Sequence, residues 1–197
     1  AGDIASRTVI SRLSAVADMS SAFAFRRAVR NALFKANGDL QALANNEFLD
    51  TVGSTVVALI AHGGHYACTW AGDSRAYILR DATLTRITTD HSVAQQLVDA
   101  GAESEAGARS RQDASIITRA VGACSKLELD GVYGRIQQGD RFLLCSDGLV
   151  AAISEAEIAA DLGRTPTAYA ASRLVDLALK HGVSDNVTAI VVEAAAG

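Results

Sequence analysis

The sequence predicts a layered α/β sandwich, with antiparallel sheets covered by helices on both faces. Three observations carry that prediction. Apolar residues recur about every 3.6 positions near the start, at Ile4, Val9, Ile10 and Leu13, then at Phe23, Ala28, Val29 and Leu33. The middle of the chain switches to short β-branched and aromatic runs separated by tight turns, which marks hairpins and hence antiparallel pairing. Helical patterning then returns near the end.

Taken in order, residues 3–17 and about 20–46 read as two or three amphipathic helices. Asp3 is placed as a cap or first-turn acid, and a break is expected near "ANGD". "GSTVVALIA" and "YACTWAG" read as two strands joined through "HGGH", with Gly63 and Gly64 forming the turn. "RAYILRD" and "LTRIT" make a second hairpin. "SVAQQLVDAG" reads as a helix capped by Ser92 and stopped by Gly101. Residues 101–115 are polar and weakly periodic, as in a mobile surface segment. Strands return with "LELDGVYGRI" and "RFLLCSD". A helix follows from "SEAE", where Ser154 and Glu157 suit a capping box, and another runs from Thr165 and Pro166 to Gly182. "NVTAIVVEA" is the last strand.

The 197 residues suit one domain, long enough to bury a core. A net charge of −4 gives no electrostatic case for nucleic acid or an anionic membrane, and no apolar run approaches the roughly 18 residues of a membrane span. The three cysteines, Cys68, Cys124 and Cys145, are scattered, which fits a reducing cytoplasm better than a disulfide framework or a zinc site.

Three acids share one context. Asp73 follows "TWAG", Asp147 follows "RFLLCS", and Asp185 sits in "VSDN" before "VTAIVV". Each lies at the rim of an apolar strand. Carboxylates gathered at one rim repel each other, and a hard divalent cation such as Mg²⁺ or Mn²⁺ relieves that repulsion. Singly, each has an ordinary reading: Asp147–Gly148 as a turn, Asp185–Asn186 as an Asx-turn, and Asp73 with Arg75 as a surface ion pair. Periodicity does not show whether the three converge.

The ordered strings "GSTVVALI", "WAGDSRAYILRD", "ITTDHS", "ITRAVG", "FLLCSDGL" and "SDNVTAIVV" resemble the PPM (PP2C-type) metal-dependent serine/threonine protein phosphatases. The match is closest to their compact bacterial branch, which includes members associated with type VI secretion. The resemblance spans essentially the whole chain. It implies a four-layer α-β-β-α sandwich of two antiparallel sheets flanked by helices. It also implies hydrolysis of phosphoserine and phosphothreonine in proteins by a metal-activated water. Carried over by position, Asp147 and Asp185 are ligands of a centre of two Mn²⁺ or Mg²⁺ ions, with Gly148 and Asn186 beside them. Asp73 matches an acid on a third, weaker ion. Residues 92–115 match a flap beside the active site. A phosphorylated protein is the implied substrate and a Ser/Thr kinase the implied opponent.

Family members carry a "DGMGGH"-like turn just before the string that opens this sequence, "AGDIASR". The expectation is therefore a domain over residues 1–197 that is partial at its N-terminus, binding metal weakly and turning over little. An inactive pseudophosphatase that binds phosphoproteins is the alternative. Other chemistries fit less well. His62 and His65 flank a hairpin tip, His91 reads as a helix-entry residue, and His181 sits in a helix's last turn. Cys68 reaches Arg75 only at the seventh position, Cys145 reads as a buried structural thiol, and no GxSxG elbow is present.

Overall fold

The computed structural model describes residues 2–17, 19, 21–49 and 51–195. Helices α1 (Gly2–Ser14) and α2 (Ala22–Asn46) precede four strands, β1 (Val56–His62), β2 (His65–Ala71), β3 (Arg75–Arg80) and β4 (Thr83–Arg86). Two short helices follow, α3 (Val93–Asp99) and α4 (Glu105–Arg109). Then come β5 (Asp130–Arg135), β6 (Arg141–Cys145), α5 (Asp147–Ala152), α6 (Glu155–Arg164), α7 (Thr167–Lys180) and β7 (Ala189–Glu193). The strands form two antiparallel sheets, ordered β1-β2-β5 and β4-β3-β6-β7.

Strand alternation sorts the side chains into three apolar layers. Val56 and Ile60 of β1 pack with Val9 of α1 and Val29, Leu33, Ala36 and Leu40 of α2. On the other side, Tyr77 and Leu79 of β3 and Leu143 and Cys145 of β6 pack with α5, α6 and α7 through Leu149, Ile158, Leu162 and Leu174. Between the sheets lie Cys68, Trp70, Ala76 and Leu144, with Val57 and Leu59 against them. The order helix–sheet–sheet–helix is the four-layer sandwich that the sequence predicts.

Both hairpins form where expected. His62 pairs with His65 across Gly63 and Gly64, whose φ angles are +55° and +73°. Arg80 pairs with Thr83 across Asp81 and Ala82, which take φ of +49° and +60° without being glycine. The Ser154–Glu157 capping box opens α6, and Ser92 caps α3 by accepting from the Gln95 N–H.

Two local expectations are corrected. Helix α2 does not break at "ANGD" but runs through Gly38, because its apolar face continues from Leu33 and Ala36 to Leu40 and Ala44, all buried. Asn37 is held inside that packing, donating Nδ2–H to the Cys124 carbonyl at 3.0 Å and accepting from the Gly122 N–H at 2.7 Å. Residues 101–115 contain a helical turn, α4, capped by Ser104 and anchored by fully buried Ala108.

Candidate active-site cleft

The first of the three acids sits where β2 passes to β3. Gly72 has φ +117°, and a Cβ there would lie 2.4 Å from Thr55 Cγ2, so the chain turns tightly and close to its neighbour. Asp73 follows at the mouth of this turn, half-buried. Asp147 is the first residue of α5, a six-residue helix that sequence reasoning missed because "SDGL" reads as a turn. Its one available signal was Ser146, a residue type favoured just before a helix.

Ser146 does not cap α5. Its hydroxyl donates to the Asn186 carbonyl at 3.1 Å and accepts from the Thr188 N–H at 3.0 Å, tying the end of β6 to the start of β7. Gly148 completes the junction: a Cβ there would sit 2.5 Å from the Asn186 carbonyl oxygen and 3.6 Å from Asp185 Cβ. Asp147–Gly148 and Asp185–Asn186 are therefore packed backbone to backbone. Asp185 lies exposed on this junction, its Oδ1 accepting from the Asn186 N–H at 2.7 Å, so the Asx-type contact and the proximity to Asp147 occur together.

Asp73 and Asp147 line one cleft of about 330 Å³, walled on its other side by α3 and α4. Burial and then the charge of Asp147 push the Asp73 carboxyl up to about 6. Burial is the larger cause; the nearby carboxylates of Asp147 and Asp90 add to it, and the Arg75 charge offsets part of the rise. Arg75 does not pair with Asp73, as the simplest reading of "GDSR" has it. It grips Asp90 instead, donating from Nε at 3.1 Å and from Nη2 at 2.7 Å, while Arg86 reaches the same carboxylate at 2.5 Å. Asp90 is missed by sequence reasoning since its partners lie 15 and 4 positions away.

The charged side chains lining the cleft are four acids, Asp73, Asp90, Glu105 and Asp147, and three arginines, Arg75, Arg86 and Arg109. Left alone, the cleft has a net negative charge that opposes a phosphate; one divalent cation reverses the sign. The donor chemistry is oxygen only, which fits Mg²⁺ or Mn²⁺. Among the described residues, no three His, Cys, Asp or Glu side chains already stand together as a group able to hold a metal ion. Of the three acids singled out in the sequence, Asp73 and Asp147 line the cleft, whereas Asp185 does not line it and lies beside Gly148, next to Asp147.

The remaining candidates of other chemistries are structural. Burial pushes the Cys68 and Cys145 thiols up to about 12, which removes both as nucleophiles near neutral pH. His62 and His65 face each other at the hairpin tip, and His181 Nδ1 lies 2.9 Å from the Ala152 carbonyl at the end of α7.

Comparison with known proteins agrees with this architecture. The family profile described as "Protein phosphatase 2C" matches residues 1–97. The chain is 35% identical over 194 residues to the "Serine/threonine protein phosphatase PstP" of Mycobacterium tuberculosis, covering 98% of this chain and 38% of that protein. It therefore spans well under half the length of that relative. Among solved structures, PppA, "a key regulatory component of T6SS in Pseudomonas aeruginosa", superposes with a TM-score of 0.91 at 36% identity, covering 98% of this chain and 80% of that one. The catalytic domain of PstP "in complex with 2 Manganese ions" superposes with a TM-score of 0.84 at 33% identity, covering 99% of this chain and 82% of that one.

Proposed function

Because the chain belongs to the protein phosphatase 2C family, we propose that it hydrolyses phosphoserine and phosphothreonine in proteins by the attack of a metal-activated water. The observation that carries this reading is the cleft itself, which Asp73 and Asp147 line together and where acids outnumber arginines, a lining that a divalent cation would make receptive to a phosphate. Asp147 and Asp185 would hold two Mn²⁺ or Mg²⁺ ions, with Gly148 and Asn186 fixing the spacing of their loops and Asp73 reaching a third, weaker ion. Bound there, the ions would supply a nucleophilic hydroxide and neutralise charge on the phosphoryl oxygens.

The chain's own residues do the rest. The Ser146 tie and the Gly148–Asn186 approach hold the two ligand loops in one arrangement before any ion enters. Asp90 holds Arg75 and Arg86 at the cleft wall, where two guanidinium groups share one carboxylate and offset part of the cleft's acidic charge. The segment 92–115, which contributes Gln95, Glu105 and Arg109 to the opposite wall, would act as a flap that contacts the substrate around its phosphorylated residue. A Ser/Thr kinase would supply the substrate, since the reaction consumes a phosphorylated side chain. The free cysteines support a reducing, cytoplasmic setting. Among the described residues, no helix is long and apolar enough to cross a membrane.

The test is phosphate release from a phosphothreonine peptide with Mn²⁺ and with a chelator. It would use the wild-type chain and its Asp147→Asn variant. The reading predicts Mn²⁺-dependent release that falls to background with the chelator and in Asp147→Asn. Peptide binding without release from any form would instead mark a phosphoprotein-binding module.

A further inference from the structure

His91 is buried to 6% exposure and is used by nothing in the chemistry above. Its surroundings are specific. Its backbone N–H donates to the Gly72 carbonyl at 2.9 Å, and its ring Nδ1 accepts from the Gly72 N–H at 3.2 Å. One residue therefore satisfies both polar backbone groups of the glycine that precedes Asp73. Because Nδ1 accepts, the ring hydrogen sits on Nε2, which faces Asp130 Oδ2 at 3.1 Å. Asp130 is held in turn by Arg119 at 2.9 Å, and the His91 ring stacks on Trp70 with centroids 6.1 Å apart and planes 19° from parallel. Trp70 is itself fixed by donating its Nε1–H to the Thr89 carbonyl at 2.8 Å.

The tight turn at Gly72 explains why such a clamp is needed. With φ at +117°, the turn lies in a region that only glycine adopts readily, and its amide has no strand partner to fix it. We propose that His91 is a positioning residue, whose ring and backbone clamp the Gly72–Asp73 turn and so set where the Asp73 carboxylate stands in the cleft. The metal consequence of this inference rests on the proposed phosphatase reading; the clamp itself rests on geometry alone. A residue that orients a ligand from behind typically changes metal affinity about 10- to 100-fold when removed.

Three variants separate the contacts. His91→Phe keeps a ring to stack on Trp70 and loses both hydrogen bonds. His91→Asn keeps an acceptor near the Nδ1 position and loses the reach to Asp130. His91→Gln keeps a donor toward Asp130 and loses the acceptor. Two readouts apply to each: hydrogen exchange of the Gly72 amide, and Mn²⁺ affinity by calorimetry, with melting temperature as the check on folding. Exchange at Gly72 is expected to accelerate at least tenfold in His91→Phe and His91→Gln and to stay near wild type in His91→Asn. Mn²⁺ affinity at the weaker site that Asp73 reaches is expected to fall about tenfold in the first two and to recover in the third. Equal exchange and equal affinity across all variants would overturn the clamp, as would effects that simply follow melting temperature. Wild-type protein that binds no Mn²⁺ while its Gly72 amide is released by His91→Phe would uphold the clamp and overturn the phosphatase reading.

Discussion

Asp140 and Gly148 show how single residues set limits on this molecule. The Asp140 side chain is 1% exposed and takes two hydrogen bonds from Arg80, at 2.7 and 2.6 Å, and one from the Gln137 N–H at 2.7 Å. The Arg80 guanidinium, outweighing burial, holds the Asp140 carboxyl below its ordinary range. A carboxyl lowered by folding stabilises the protein at pH values above its unfolded pKa and loses that contribution as pH falls through the folded value. Asp140→Asn is therefore expected to cost about 2–3 kcal/mol near neutral pH, below the largest losses for broken buried pairs because Arg80 keeps access to water. Melting curves between pH 7 and pH 3 should show that gap narrowing below about pH 4 as the wild type loses its ion pair. At Gly148 the limit is space. Gly148→Ala would press a methyl group against the Asn186 carbonyl, with an expected loss of about 1–3 kcal/mol by urea unfolding and a matching loss of Mn²⁺ binding. Of these residues, sequence reasoning found Gly148 through its motif. It did not find Asp140 or His91, because their partners lie as far as 60 and 39 positions along the chain.

At the scale of elements, the two hairpins behave as a natural comparison. Gly63–Gly64 adopts positive φ freely, whereas Asp81–Ala82 forces two side-chain-bearing residues into the same region. Ala82→Gly is expected to stabilise the chain by about 0.5–1 kcal/mol, since relief of strain exceeds the added entropy of glycine in the unfolded state. A urea midpoint unchanged or lowered by that substitution would show that the turn is not strained. The strands and the long helices were legible because alternation and 3.6-residue spacing are strong over six or more residues. Helix α5 was not, since six residues opening on Asp-Gly resemble a turn, and the Ser146 hydroxyl that should have capped it is diverted to Asn186 and Thr188. The "ANGD" break failed for the opposite reason: a local breaker signal lost to the buried face on either side of it.

At the scale of the whole molecule, two sheets packed face to face bring acids from three distant parts of the chain to one end of the sandwich. The strands around Asp73, Asp147 and Asp185 could be read from sequence, and their convergence could be expected only from the order of the motifs. The structure places Asp73 and Asp147 in one cleft and Asp185 across a backbone contact from Asp147, a relation that no periodicity encodes. The resulting surplus of acids over arginines makes the cleft hostile to phosphate until a cation enters. The most direct measurement is anomalous diffraction at the manganese edge from crystals of the chain grown with Mn²⁺. Density is expected between the Asp147 and Asp185 carboxylates, with further density toward Asp73 at higher Mn²⁺, and none in Asp147→Asn. Manganese bound only elsewhere, or an empty cleft at millimolar Mn²⁺, would contradict that expectation.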